Sequence, residues 1–256
     1  MGTPLSEAAG AAAQRCLEWA YRALCLVAAM WIGTGAVVCA HADDRPFLRT
    51  THAMASDDDD AWEISSTLVA NRQGQALSLQ LERELSTTQR IEVEVGGSTR
   101  DLAPEPEQGL RLRSLWVNPE SHGWGWATKV GIEPRRGRSE GGDRWQALSV
   151  VSVPMAQGRW WVHANLGWQW QRQSAQAAQR TAIGSLAAHW VLNPQQWLYA
   201  ETARAADGSD RLLHLGLRHW LRPGKWALDV GAGRQRAAEH PGEFVVLNMS
   251  FFDLNF

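Results

Sequence analysis

The chain has 256 residues and a net charge of -2, so it carries no basic footprint for nucleic acid and no general pull toward acidic surfaces. It holds 15 Trp against 2 Tyr, with 23 Gly. A mean hydropathy of -0.32 would suit a soluble protein, but a strand with one apolar and one polar face averages near zero whatever solvent the apolar face meets.

Arg15 and Arg22 precede an apolar run, Ala23–Val38, and Ala40-His41-Ala42 then supplies small residues at the spacing signal peptidase reads. With Asp43 and Asp44 following at once, residues 1–42 read as a secretory signal peptide cut after Ala42. The stretch ahead of Arg15 is longer than such a signal needs, which points to a start codon further in. A retained membrane anchor is the alternative, since Ala23–Ala40 is about long enough to span; the A-x-A site and the abrupt switch to Asp favour cleavage. Lipid attachment at Cys39 fits poorly with the bulky Val37 and Val38 before it. Cys16, Cys25 and Cys39 all fall inside this segment, so the mature chain has no disulfide framework and no thiolate metal site. Its charge stays at -2, because Arg15 and Arg22 leave together with Glu7 and Glu18.

Residues 43–60, DDRPFLRTTHAMASDDDD, show no periodicity and read as a flexible periplasmic lead-in. The run Asp57–Asp60 could be a calcium patch, but it lacks the Gly turn and ligand spacing of a calcium loop, so a solvated linker is favoured.

From Ala61 the period becomes two and remains so to Phe256. Trp62, Ile64, Leu68 and Ala70 share a face against Glu63, Ser65 and Thr67; Leu77, Leu79 and Leu81 alternate with Ser78, Gln80 and Glu82. Ile91, Val93 and Val95 alternate with Glu92 and Glu94, Leu110 and Leu112 with Arg111 and Arg113, and Trp124–Ile132 with Gly125, Lys129 and Glu133. The same holds for Trp160–Trp170, Leu213–Leu217 and Trp226–Val230, while Trp145–Val153 and Ala182–Leu192 alternate more weakly. Counting runs between turn signals predicts about twelve strands of roughly ten residues, the length that crosses a bilayer at a tilt. The linkers alternate shorter and longer, apart from the tight first one at 71–74, as periplasmic turns and external loops do, and an even strand count puts both ends of the barrel on the periplasmic side.

A soluble sandwich would also alternate. It explains poorly the aromatics near strand ends, Trp62, Trp116, Trp124, Trp126, Trp160, Trp168, Trp170, Trp190 and Trp226, which suit a membrane–water interface. It also leaves unexplained the ending FFDLNF, where Phe252, Leu254 and Phe256 alternate with polar residues to the final position. A barrel in lipid must pair its last strand to the end, and an aromatic terminus resembles the signal read by the outer-membrane insertion machinery. The expectation is therefore an all-β fold: a closed antiparallel transmembrane β-barrel of about 12 strands over residues 61–256, in the outer membrane of a Gram-negative bacterium. Its expected partners are outer-membrane lipid, the barrel insertion machinery and a small-molecule solute, with no nucleic acid.

If the apolar faces meet lipid, the alternate faces line the lumen. That places Glu63, Glu82, Glu92 and Glu94 inside, then Arg111, Arg113 and Lys129, then His163, Asn165, Gln169, Glu201, His214, Arg218 and Asp229. Acid beside base admits two readings, a salt-bridged filling or a transverse field that selects polar solutes. No enzyme activity, cofactor or metal is expected. His219 faces outward, yet spacing brings no serine and carboxamide beside it, and His163 with Asn165 is too little for a metal site.

Several segments resemble a family of proteobacterial outer-membrane barrels, transporter-like and related to the phenol-degradation (MetA-pathway) group. They are RPF (Arg45–Phe47), GWGW (Gly123–Trp126), HANLGW (His163–Trp168), AET (Ala200–Thr202) and GLRHWL (Gly216–Leu221). The stretch after RPF departs from that pattern, with LRTTHAMASDDDD where a short acidic-glycine stretch would stand. The resemblance implies an outer-membrane barrel concerned with transport. A narrow channel or transporter for a small solute is the reading of choice. A structural or partner-binding barrel without transport is the alternative, followed by a lipid-modifying enzyme.

Overall fold

The computed structural model describes residues 47–54, 61–72, 74–98, 109–133, 143–171, 179–237 and 242–254. The expectations for residues 1–42, for Asp57–Asp60 and for Phe256 lie outside them. Strands β1 (Trp62–Asn71), β2 (Gln75–Ser86), β3 (Gln89–Ser98) and β4 (Gly109–Val117) lead to a one-turn helix, α1 (Pro119–His122). Then come β5 (Gly125–Glu133), β6 (Arg144–Met155), β7 (Trp160–Gln171) and β8 (Gln179–Asn193). The chain closes with β9 (Gln196–Ala205), β10 (Asp210–Arg222), β11 (Trp226–Ala237) and β12 (Gly242–Leu254). Each strand pairs antiparallel with its sequence neighbours, and β1 pairs with β12, so the sheet is a closed barrel with no edge left open. The two stretches of weak alternation are full members of it. β6 keeps one register with β7 from Arg144↔Gln171 to Met155↔Trp160, so the ladder holds what side-chain patterning leaves indistinct.

The outer and inner faces are inverted relative to a soluble protein. On the outside, Leu166 is 70% exposed and Trp116 61%, while inward-facing Arg218 and His214 are 0% exposed. Outward residues meet across strands as a continuous hoop: Leu68↔Leu247, Leu247↔Val230, Val230↔Leu217 and Leu217↔Leu198. A contiguous apolar surface of this kind is unfavourable in water, and hydrocarbon is the solvent it matches.

The expected interface indoles all stand on this outer face. Trp62, Trp116, Trp124, Trp126, Trp160, Trp190 and Trp226 lie near the end where β1 begins and β12 finishes; Trp168 and Trp170 lie near the other end, joined by Trp145. Several are tied down. Trp160 stacks on Trp190 at 5.1 Å, and Trp116 Nε1 and Trp126 Nε1 donate to Thr128 Oγ1 and Ser149 Oγ at 2.9 and 3.0 Å. Arg83 lies over Trp62, and Arg180 over Trp168 and Trp170.

The turns at 87–88, 156–159, 194–195 and 223–225 share the end of the barrel where β1 starts, and β3, β5 and β7 finish, ahead of the longer connections, at the other. The connection NPESHG (118–123) between β4 and β5 contains α1. Asn118 caps it by accepting from Glu120 N–H, Pro119 sits where a missing N–H costs nothing, and Gly123 ends it at φ 72°.

The C-terminal expectation needs correction. Phe252 points inward, 5% exposed, against Trp197, Trp220 and Ala227, whereas Leu254 pairs with outward Trp62. Between them Asp253 adopts φ 49°, and the β1–β12 register shifts between Trp62 and Ile64. One extra residue breaks the period of two, so Phe252 and Leu254 leave the sheet on opposite sides.

Gly216 and Gly231 face each other across β10 and β11, with Tyr199 of β9 opposite Gly216. A Cβ at Gly216 would overlap the Tyr199 ring and hydroxyl, so the two glycines make the groove in which that ring lies. Replacing Gly216 by Val should lower the barrel's unfolding free energy by about 1–3 kcal/mol, read from denaturant titration in detergent. Gly97→Ala, where a Cβ meets nothing within 4 Å, serves as the control that should leave the midpoint in place.

Candidate functional site

The inner wall divides into an ionic half and an aromatic half. On the ionic side, Arg90 of β3 gathers Glu63, Glu82 and Glu84 from β1 and β2, at 3.1 Å to Glu63 and 2.7 Å to Glu82. Arg111 of β4 bonds Glu92 and Glu94, both at 3.0 Å, and Lys129 of β5 reaches Glu92 at 3.0 Å. Glu133 continues the series to Arg144 at 3.1 Å. Acid on one strand thus neutralises base on the next, as the filling reading expects, so these strands do not present two bare walls of opposite sign. Burial makes that pairing obligatory, because a charge held out of water costs several kcal/mol unless an opposite charge and hydrogen bonds meet it.

On the other side, Trp161 and His163 of β7, His189 of β8 and Trp197 of β9 stack in a row, with His163–His189 and His189–Trp197 centroids 5.3 and 5.0 Å apart. Ser152 Oγ lies 2.8 Å from His163 Nδ1, and His163 Nε2 lies 3.3 Å from His189 Nδ1. Nearer the end where β12 finishes, Arg218 holds Asp229 through two bonds of 2.7 and 2.8 Å, and Asn248 donates to the same carboxylate at 2.8 Å. The Arg218 guanidinium also lies over Trp197, Trp220 and Phe252.

Between the two halves runs the chain's own lead-in. Expected to be flexible and periplasmic, it is instead buried inside the barrel over the residues described, with Thr50, Thr51 and His52 each 1% exposed and Ala53 0%. The reason is hydrogen bonding. Both oxygens of Glu201 accept from its backbone: Leu48 N–H at 2.8 Å, Arg49 N–H at 2.7 Å and Thr50 N–H at 2.5 Å. Asn165, with its amide turned to satisfy both ends, accepts from Thr51 N–H at 2.7 Å and donates to Thr51 C=O at 2.9 Å. Arg113 donates to His52 C=O at 3.1 Å, and Ser152 Oγ accepts from Ala53 N–H at 2.7 Å. Phe47 sets its ring edge-on to Tyr199 at 5.9 Å and beside His163 at 5.6 Å. Leu48 packs on a cluster of Val69, Ala76, Leu212, Phe244 and Val246. A Cβ at Gly125 would strike Ala53 C=O, so the glycine leaves room for the lead-in against β5.

Every lumen candidate read from the sequence faces inward. Glu63, Glu82, Glu92, Arg111, Arg113, Lys129, His163, Asn165, Glu201, His214, Arg218 and Asp229 are buried, and Glu94 and Gln169 half-buried. Arg113, His163, Asn165 and Glu201 converge on the lead-in, with His214 Nδ1 3.7 Å behind Glu201. Gln169 stands apart, opposite Gln146 toward the long-connection end. Sequence reasoning missed Ser152 and the inward aromatics Trp161, Trp197, Tyr199 and Trp220. For the aromatics the signal was present, since each is out of phase with the outward residues of its strand. The lead-in gave only the apolar pair Phe47-Leu48 in a polar stretch. Ser152, His163 and His189 are the residue types of an acyl-transfer row, but Ser152 Oγ already accepts from Ala53 N–H and faces the lumen rather than lipid.

No family model and no curated protein matches the chain. Among solved structures it is similar to the NanC porin, at a TM-score of 0.59 and 7% identity, covering 75% of this chain and 99% of that one. It is similar also to the KdgM porin in complex with disordered oligogalacturonate, at 0.54 and 11%, covering 74% and 98%. An outer membrane channel from Pseudomonas putida F1 matches at 0.51 and 12%, covering 82% and 99%. At these identities the likeness is one of fold.

Two outcomes follow from the geometry. Arg90→Leu leaves three buried carboxylates facing one another and should cost about 3–5 kcal/mol of unfolding free energy by denaturant titration. Glu201→Gln puts an amide donor where N–H donors already point, so Leu48, Arg49 and Thr50 should exchange their amide hydrogens at least about tenfold faster, measured by mass spectrometry.

Proposed function

We propose that the chain is an outer-membrane barrel of a Gram-negative bacterium, working as a narrow channel or transporter for a small solute. One observation carries this reading: a closed cylinder that is apolar outside and lined with buried, mutually paired polar groups inside. Such a wall offers a polar solute replacement hydrogen bonds along a path through hydrocarbon. The structural neighbours described as porins and as an outer membrane channel support it at the level of fold. Outer-membrane lipid is then the solvent of the hoop and of the Trp bands, and the insertion machinery the partner that places the barrel there.

Membership in the transporter-like, MetA-pathway group belongs to the same proposal. The segments that carry that resemblance meet around the lead-in: Phe47 from RPF, Gly125 from GWGW, His163 and Asn165 from HANLGW, Glu201 from AET. Gly216 from GLRHWL makes room for the Tyr199 ring against which Phe47 rests. They are residues of one seat rather than scattered strand patterns.

In the channel reading the lead-in is the closed state. It is held by hydrogen bonds and packing, with no covalent tie among the described residues, and can leave. A second reading, a structural barrel, is favoured by the same filled interior.

The two readings part in planar bilayers. The full chain should migrate heat-modifiably on detergent gels, co-fractionate with outer membrane and give discrete conductance steps. Arg113→Asp replaces the donor on His52 C=O with a repelling carboxylate, so the open fraction should rise and selectivity shift toward cations. Silent bilayers for both proteins would remove the channel and leave the structural barrel.

A further inference from the structure

The lead-in is gripped by its main chain. From Leu48 to Ala53 five backbone N–H groups and two carbonyls are bound, and every partner is a side chain of the wall: Glu201, Asn165, Arg113 and Ser152. By contrast the hydroxyls of Thr50 and Thr51, fully buried in the same seat, meet no hydrogen-bond partner among the described residues. The His52 side chain adds a contact of its own, its Nδ1 lying 3.2 Å from Arg113 Nη1. A seat evolved only to hold this sequence would be expected to use two buried hydroxyls, since leaving them unmet is unfavourable. The wall instead reads groups that every peptide has.

We infer that this wall is a binding site for extended oligopeptides, with Glu201, Asn165, Arg113 and Ser152 as main-chain readers, and that residues 48–53 occupy it as an internal stand-in. Backbone-directed recognition gives affinity without sequence, and side-chain pockets add preference. Here the pockets are the aromatic niche of Phe47 and the apolar cluster under Leu48, so the favoured ligand carries large apolar residues at its first two positions. Glu201 selects for N–H donors. Its two oxygens together take three successive amides, an arrangement a sugar chain cannot supply and an anionic solute would be repelled from. Passage of such peptides rests on the channel reading proposed above; binding does not.

The tethered lead-in competes at high effective concentration, so the test first releases it without touching the wall. In the full chain, Leu48→Pro with Thr50→Pro removes two of the N–H donors to Glu201. Four probes are added to this variant in planar bilayers: the peptide FLRTTHAM, the peptide FLSSSSSS, FLSSSSSS N-methylated at residues two to four, and an acidic oligosaccharide of equal length. The expected result is current block by the first two at similar concentrations. The methylated peptide should need at least about tenfold more, the size of losing hydrogen bonds to a charged group, and the oligosaccharide should not block. Block by FLRTTHAM alone, or equal block by the methylated peptide, overturns the inference while the channel stands.

A variant that conducts nothing counts against the channel, and peptide binding is then read by fluorescence anisotropy of labelled FLSSSSSS on the detergent-solubilised protein. Saturable binding that methylation weakens supports the inference; no binding ends it. Should the proline variant lack heat-modifiable migration, wild-type protein is given excess FLSSSSSS instead. Faster amide exchange at residues 48–53 supports displacement from a shared site, and unchanged exchange at millimolar peptide overturns it.

Discussion

The ladder between β1 and β12 is the contact on which the rest depends. Twelve strands leave no open row of backbone donors and acceptors only when the first meets the last. Closure then divides all side chains between two environments, an outer surface and an interior cut off from bulk water. The period of two turns that division into alternate residues, so Leu215 and Leu217 go out while His214 and Arg218 go in. One bulge at Asp253 is enough to move Leu254 out of the inward phase that Phe244, Val246, Asn248, Ser250 and Phe252 keep, which shows how strictly the count of residues governs the sorting.

Once inside, a charged side chain has no water to fall back on and must find its complement on a neighbouring strand. Arg90, Arg111 and Lys129 do so with the glutamates of β1 to β3, and Arg218 does so with Asp229. The aromatic half solves the same problem with rings that need few hydrogen bonds, and with the Ser152–His163–His189 row for those that do. What remains is a strip of wall, from Ser152 to Glu201, whose polar groups are met by main chain from residues 48–53. The barrel is therefore completed by a segment that belongs to none of its strands.

How much of this was legible varies with the range of the interaction. Strand positions were legible because alternation is local, and even β6 and β8, where it fades, were marked by the turns around them. The inward set from Glu63 to Asp229 followed from parity alone. Parity held through Phe252 and failed at Leu254, since nothing in FFDLNF announces the bulge that the meeting with Trp62 imposes. It also had nothing to say about residues 47–54, which have no period, and composition pointed the wrong way: a polar stretch beside four aspartates resembles a solvated linker. Glu201 was recognised as inward, but its role required partners more than 150 positions away.

By itself, then, the amino-acid order determined the number of strands, the face each residue takes and the solvent each face demands, because period and turn chemistry act between near neighbours. The tertiary structure alone decided which buried charges meet, where the last strand changes phase, and that the lead-in lies within the lumen. Those outcomes depend on groups brought together only by closing the cylinder, where every desolvated donor must find an acceptor within the few ångströms the opposite wall allows.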